Sequence, residues 1–203
     1  MTARTAPLTH GIALACAAIH LVLLLTGRLP WAVLVAGFIP ARLTGLADLP
    51  AAVPAWLTPL SSAFVHGSVL HLALNLMILI FVGRQLEPAF GTRGMAILLL
   101  AGAYAGALLH WATDPASPVP VVGASGAISA LIAAFAFIFN RNDVRRVGPF
   151  PPVVVRAAWL GAAWIGVQLA TSIAFGGIAV FSHIGGFLAG LVLTRPLLRQ
   201  RFR

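Results

Sequence analysis

Charge is scarce in this chain, and its scarcity already indicates the class of protein. Of 203 residues only 8% are charged, while 60% are hydrophobic and the mean hydropathy is +0.99. Because a soluble domain carries about 25% charged residues, the composition predicts an integral membrane protein. The single cysteine, Cys16, excludes an intrachain disulfide.

Lysine is absent, so all 13 basic residues are arginines. The formal net charge of +9 would indicate nucleic-acid binding in a soluble protein. Here the arginines lie at the ends of apolar segments, which is the pattern of membrane topology. We therefore expect a lipid bilayer around the chain and no nucleic-acid partner.

Six apolar segments approach the roughly 20 residues that a membrane-spanning helix needs. We predict spans at residues 8–26, 70–82, 95–111, 125–140, 153–172 and 178–193, the second extending from near residue 66 to residue 85. Residues 31–39 are apolar but too few to span before Pro40. We interpret residues 28–64 as a long outer loop, partly immersed in the membrane, with a seventh span as the alternative.

The arginines between these segments predict the orientation, because cytoplasmic loops retain positive charge. With a cytoplasmic N-terminus, only Arg28 and Arg42 fall outside and the other eleven fall inside. The predicted fold is an all-α bundle of six transmembrane helices with both termini cytoplasmic. It forms one membrane domain over residues 1–203.

Four polar residues fall near the outer ends of the even-numbered spans. Ser125 opens the fourth span, His183 lies early in the sixth, and His71 and Asn75 share one face of the second. The fourth span rises only about 24 Å against a hydrocarbon core of about 30 Å. We therefore expect Ser125 to lie in a recess open to water, with the other three at similar depth.

A serine hydroxyl becomes a nucleophile only when a base takes its proton, and His183 is placed to be that base. No pattern links His183 to any of the four acids, Asp48, Glu87, Asp114 and Asp143. The sequence therefore predicts a Ser125–His183 dyad, with Glu87 hydrogen-bonded to the connecting loop.

Attack on an amide creates an oxyanion, which needs hydrogen-bond donors. The candidate donors are the amide of Ser125 at a helix N-terminus, the side chain of Asn75 and the imidazole of His71.

Small residues predict a close approach of the fourth and sixth spans. Gly186 and Gly190 form a GxxxG pattern. We expect the matching face of the fourth span to comprise Ser125, Gly126, Ser129 and Ala133, and we assign Gly102 and Gly106 in the third span to packing.

We predict no metal and no cofactor. The sequence has no HExxH motif. In the sequence pattern, no carboxylate or thiolate lies near His66, His71 and His183 to complete a metal site.

The chain resembles the rhomboid family of intramembrane serine proteases, in its bacterial six-span form, over residues 56–190. The resemblance begins at Trp56-Leu-Thr-Pro-Leu60, which leads to Phe64-Val-His66-Gly-Ser68. It continues through four motifs: His66-xxxx-His71-xxx-Asn75, Gly83-Arg-Gln-Leu-Glu87-xxx-Gly91-Thr-Arg93-Gly94, Gly123-Ala-Ser125-Gly126 and His183-xx-Gly186-xxx-Gly190. Ser182 is a departure, because the family more often has alanine before the base.

The resemblance implies Ser125 as nucleophile, His183 as general base, and His71 with Asn75 as oxyanion stabilisers. It implies cleavage of transmembrane segments of other proteins near the outer face, with small residues preferred at the cut. The fifth span and residues 173–181 would form a lateral gate and cap. The arginine- and alanine-rich composition favours a bacterial plasma (inner) membrane.

Other interpretations remain open. Ser125 could merely cap a helix and His183 could be a packed histidine. The main alternative is a catalytically silent rhomboid-like protein that binds membrane clients. A small transporter is disfavoured by the absence of internal repeats and charged mid-membrane residues. A rhomboid specialised for C-terminal sorting tails would share the same dyad. The oligomeric state and the substrate are not predicted.

Overall fold

The computed structural model describes residues 6–139, 144–175 and 179–201. Within these ranges the chain is helical, and its only β-structure is two isolated bridges. The eight α-helices of the described residues are α1 (Pro7–Leu25), α2 (Leu29–Ala36), α3 (Pro40–Leu43), α4 (Thr58–Ser61), α5 (Val69–Thr113), α6 (Ser125–Phe139), α7 (Pro152–Phe175) and α8 (Val180–Arg201).

The helices follow the predicted spans closely. α1, α6 and α7 lie within three residues of the predicted bounds, whereas α8 runs eight residues past residue 193, to Arg201. The described residues do not include residue 178, Asp143 or part of the predicted cap at 173–181. By length and composition α1, α5 and α8 could each cross a membrane, and α6 is a shorter apolar helix. The six-span count and the side of the termini stay predictions.

The second and third predicted spans are joined in α5, which is 45 residues long. A straight helix of that length would measure about 68 Å, more than twice the hydrocarbon thickness. Gly91 interrupts it with a left-handed φ of 71° and ψ of 164°. Glycine adopts this conformation without the penalty of a Cβ atom, so α5 divides at Gly91 into two halves of span length.

The segment 28–64 is partly helical, which the sequence did not predict. α2 has eight residues and is too short to cross a bilayer, so it does not support a seventh span. The segment is fastened to the loop that precedes α6 and to the last turn of α5. Phe38 and Val121 exchange two backbone hydrogen bonds of 2.9 and 2.8 Å, and the indole of Trp111 donates to Thr44 Oγ1 at 2.9 Å. The segment therefore braces the entry to α6.

Glu87 anchors the start of α1, whose first amides have no partner within the helix. Its carboxylate accepts from Leu8 N and Thr9 N, both at 2.9 Å, and from Thr9 Oγ1 at 2.7 Å. Thr92 of the connection donates a longer bond of 3.3 Å. The predicted bond to the connection is thus present but secondary, because most of the donors come from α1.

Glu87 is 2% exposed. Burial alone would raise the pKa of this carboxyl. The hydrogen bonds from Thr9, Leu8 and Thr92 outweigh burial and hold the pKa below its ordinary value of 4.5. The carboxylate therefore stabilises the fold above about pH 4.5, and this stabilisation is lost as the pH falls through the lowered pKa.

We predict that Glu87→Gln lowers thermal stability at neutral pH. It should also remove the loss of stability that protonation of Glu87 causes in the wild type at low pH. Replacing a buried hydrogen-bonded carboxylate should cost roughly 1–3 kcal/mol, because an amide cannot accept all four bonds. The measurement is the unfolding midpoint in detergent between pH 3 and pH 7. Asp48→Asn, at an exposed acid, is the control and should behave like the wild type. An unchanged midpoint for Glu87→Gln at pH 7 would contradict this account.

Candidate active site

The backbones of α6 and α8 are in contact through glycine. A Cβ atom on Gly186 would lie 2.0 Å from Gly126 O, and one on Gly190 would lie 2.3 Å from Ala130 O. No side chain fits in either place. The predicted glycine stripe of α8 therefore packs on α6, at Gly126 of the predicted face and at Ala130 outside it. Ser129 of the predicted face is buried, and its hydroxyl donates to Ser125 O of the same helix at 2.7 Å.

The third predicted span completes this packing. A Cβ atom on Gly102 would lie 2.7 Å from the side chain of Ala130, and one on Gly106 would lie 2.5 Å from Ser182 O. Both glycines therefore serve packing, as predicted. Ser182 is buried between α5 and α6, which explains why only a small residue suits that position.

This packing brings two predicted site residues together. Ser125 is the first residue of α6, and His183 lies in the first turn of α8, closer to its start than the sequence indicated. His183 Nε2 lies 2.7 Å from Ser125 Oγ, a hydrogen-bonding distance. Both residues are half-buried. Their separation of 58 positions in sequence makes this a tertiary contact rather than a local one.

The other ring nitrogen of His183 also has a partner, which the sequence did not predict. His183 Nδ1 is hydrogen-bonded to Gln168 Oε1 of α7. A signal was available, because a polar side chain deep in an apolar span usually faces a bundle interior or a functional site. Asp114, by contrast, directly follows the last residue of α5 and is exposed.

His71 lies against the loop that leads into Ser125. A Cβ atom on Gly123 would be 2.6 Å from His71 Nε2, and Gly123 has a φ of 112°. Gly123 N also donates to Ser62 O at 2.9 Å. Gly123 is therefore required both for its backbone conformation and for the space that His71 occupies.

Asn75 lies one turn after His71 and is buried. Its Nδ2 donates to His71 O at 2.9 Å, while its Oδ1 has no hydrogen-bond partner among the described residues. An amide nitrogen carries two hydrogens, so one N–H remains for another acceptor. His71 and Asn75 therefore share a face of α5, as predicted.

His66 supports His71 from the loop before α5. The two rings make an edge-to-face contact with centroids 5.2 Å apart. His66 is fully buried. A ring buried against another ring in this way suits packing better than ligand binding. In the described residues, no group of three or more His, Cys, Asp or Glu is close enough to hold a metal ion.

A small cavity of about 20 Å³ adjoins Ser125. Its polar lining comes from Ser62, Gly123, Ser125 and Ser182, and its apolar lining includes Phe38 of the braced segment. A cavity of this size holds about one water molecule, given several polar partners.

Two apolar helices carry a serine and a histidine at their N-terminal ends, and the two side chains are hydrogen-bonded to each other. These features define an integral membrane protein whose site resembles that of serine hydrolases. The Rhomboid domain family model matches residues 54–200, and the chain belongs to the rhomboid family. This family typically comprises serine proteases that act on membrane proteins within the bilayer.

Individual relatives of the chain also bear rhomboid names. The chain is 32% identical over 140 residues to RHOMBOID-like protein 4 of Arabidopsis thaliana, covering 68% of this chain and 33% of the relative. It is 28% identical over 144 residues to Rhomboid-like protease 3 of Toxoplasma gondii, covering 68% and 49%. It is 25% identical over 195 residues to Rhomboid protease GlpG of Yersinia pestis (strain Pestoides F), covering 96% and 64%. The chain thus spans between one third and just under two thirds of these relatives.

We predict that Gly186→Ala strongly destabilises the protein, because the added methyl would collide with a backbone carbonyl that no rotamer change can move. Overpacking of this kind costs typically about 1–3 kcal/mol. The measurement is the unfolding midpoint. Gly11→Ala in α1 is the matched control, because nothing lies within 4 Å of its Cβ position. It should be neutral or stabilising, and equal midpoints for the two variants would contradict the packing described here.

Proposed function

We propose that this protein is an intramembrane serine endopeptidase, in which Ser125 attacks the peptide bond and His183 is the general base. The observation that carries the proposal is the 2.7 Å separation of Ser125 Oγ and His183 Nε2 at the N-terminal ends of two closely packed helices. Membership of the rhomboid family supports the same reaction class.

In the first step the Ser125 hydroxyl transfers its proton to His183 Nε2 as Oγ bonds to the carbonyl carbon of the substrate. The tetrahedral intermediate collapses when the carbon–nitrogen bond breaks, and His183 returns the proton to the leaving amine. The product of this step is an ester between Ser125 and the N-terminal part of the substrate. A water molecule, deprotonated by the same histidine, then hydrolyses this ester.

The negative charge on the oxygen of the intermediate needs donors that are already in position. The first amides of α6 have no partner within the helix, and the helix dipole favours an anion there. The remaining N–H of Asn75 and the ring of His71 lie on the neighbouring face of α5 and are proposed as further donors. The cavity beside Ser125 offers space for the hydrolytic water.

The proposed substrates are transmembrane segments of other membrane proteins, cut near the outer face of the bilayer and preferably at small residues. α7 is proposed as the lateral gate. The proposed arrangement is six spans with cytoplasmic termini in a bacterial plasma membrane, without metal or cofactor. The other candidate function is a silent client-binding protein, which would keep the fold without turnover.

The nucleophile is tested by cleavage of a reporter transmembrane segment in liposomes. Wild type should cut, whereas Ser125→Ala and His183→Ala should lose activity by at least about 10³-fold, because nucleophile and base act as one unit. Ser129→Ala is the matched serine control on the same helix. Asp114→Asn tests whether Asp114 is an acidic third member of a catalytic triad. Both should retain activity. Cleavage by folded Ser125→Ala would rule out the dyad, and a folded but inactive wild type would favour client binding.

Asn75 is tested by steady-state kinetics of Asn75→Ala. Loss of one oxyanion donor should lower kcat by about 10²–10³-fold with little change in KM, because the charge exists only in the transition state. Gln85→Ala is the control, since Gln85 Nε2 also bonds a carbonyl four residues earlier, Phe81 O, at 3.0 Å. If both variants lose the same activity, Asn75 has only a helix-stabilising role.

A further inference from the structure

Gln168 differs in burial from the other described side chains of α7. Of the side chains that the structure describes in this helix, residues 152–168, it is the only one that is buried, at 5% exposure. The apolar side chains of the same stretch are mostly exposed, including Trp159 at 70%. Burying a polar amide instead of an apolar group is unfavourable unless hydrogen bonds compensate for the lost water. The position of Gln168 therefore calls for a specific polar partner.

That partner is the histidine beside Ser125. Gln168 Oε1 is hydrogen-bonded to His183 Nδ1, while the other ring nitrogen faces Ser125 Oγ. One turn away, the rings of Trp164 and Phe187 stack with centroids 5.9 Å apart and 13° between their planes. The stack fixes the register of α7 against α8, and this register brings Gln168 to His183.

A neutral imidazole carries one proton, and its location decides whether His183 can act as a base. An acceptor at Nδ1 keeps the proton there and leaves the lone pair on Nε2 for the Ser125 hydroxyl. The amide oxygen of Gln168 is such an acceptor, and it adds no charge. Among the described residues, the titratable side chains near enough to influence His183 are His71 and His110, both on α5.

We infer that Gln168 is a positioning residue that holds His183 in the tautomer protonated on Nδ1 and orients its ring toward Ser125. This inference rests on the proposed function and goes beyond the Ser125–His183 dyad, because it adds a neutral third member from α7. It also couples the position of α7 to the base. When α7 moves away from α8, His183 loses the acceptor that fixes its proton.

The kinetic test compares Gln168→Leu, which removes the acceptor at similar volume, with Gln168→Glu, which keeps an acceptor and adds charge. Gln168→Leu should lower kcat by roughly ten- to a hundredfold and leave KM within about twofold. This loss is smaller than the full contribution of a positioned base, about 10²–10⁴-fold, because His183 is still present. Gln168→Glu should keep most activity at high pH. Its acidic limb should move to higher pH, because a carboxylate stabilises protonated His183.

Gln85→Leu, at an exposed glutamine of α5, is the matched control and should equal the wild type. Unchanged kcat in folded Gln168→Leu would overturn the inference. Equal losses in Gln168→Leu and Gln168→Glu without a shift of the acidic limb would also overturn it, because they would indicate only a structural role for the amide.

A second readout does not depend on cleavage. Nitrogen NMR of ¹⁵N-histidine-labelled protein, assigned with His183→Ala, should show His183 protonated on Nδ1 in the wild type. In Gln168→Leu the proton should shift toward Nε2. If the wild type shows this tautomer but cuts no substrate, the proposed function fails while the positioning contact stands. If the wild type cuts and its tautomer is unchanged in Gln168→Leu, only the positioning inference fails.

Discussion

The contact between the backbones of α6 and α8 is the constraint on which the rest of the site depends. With Gly186 directly against Gly126 O, the two helices approach more closely than any side chain would permit. In a bilayer, where lipid tails are as apolar as leucine, such packing replaces the hydrophobic effect as the force that holds helices together. The hydrogen bond between Ser125 and His183 is a consequence of this approach.

Other parts of the fold are stabilised by polar contacts of a different kind. Glu87 satisfies the first amides of α1, and the strand-like pairing of Phe38 with Val121 holds the loop before α6. Both contacts lie at helix ends or in loops, where backbone groups lack helical partners. These contacts therefore pair the backbone groups at the start of α1 and in the loop that leads to Ser125.

Much of this arrangement could be predicted from the sequence, because local patterns report it directly. Apolar runs gave the bounds of α1 and α6 to within a residue, and the i, i+4 spacing placed His71 and Asn75 on one face. Tertiary contacts were harder. Nothing in the sequence distinguished Ala130 from Ser129 as the contact of Gly190, since both lie on nearby faces of α6. The partner of Gln168 depends on the register of α7 against α8, which no local pattern reports.

The central claim is that His183 activates Ser125, and covalent labelling with a fluorophosphonate reagent tests it most directly. The folded wild type, followed by mass spectrometry of its peptides, should carry one adduct on Ser125 and none on Ser129 or Ser182. His183→Ala should carry none, because a serine without its base is unreactive. Absence of an adduct in the folded wild type, or equal labelling of Ser125 in His183→Ala, would contradict the account.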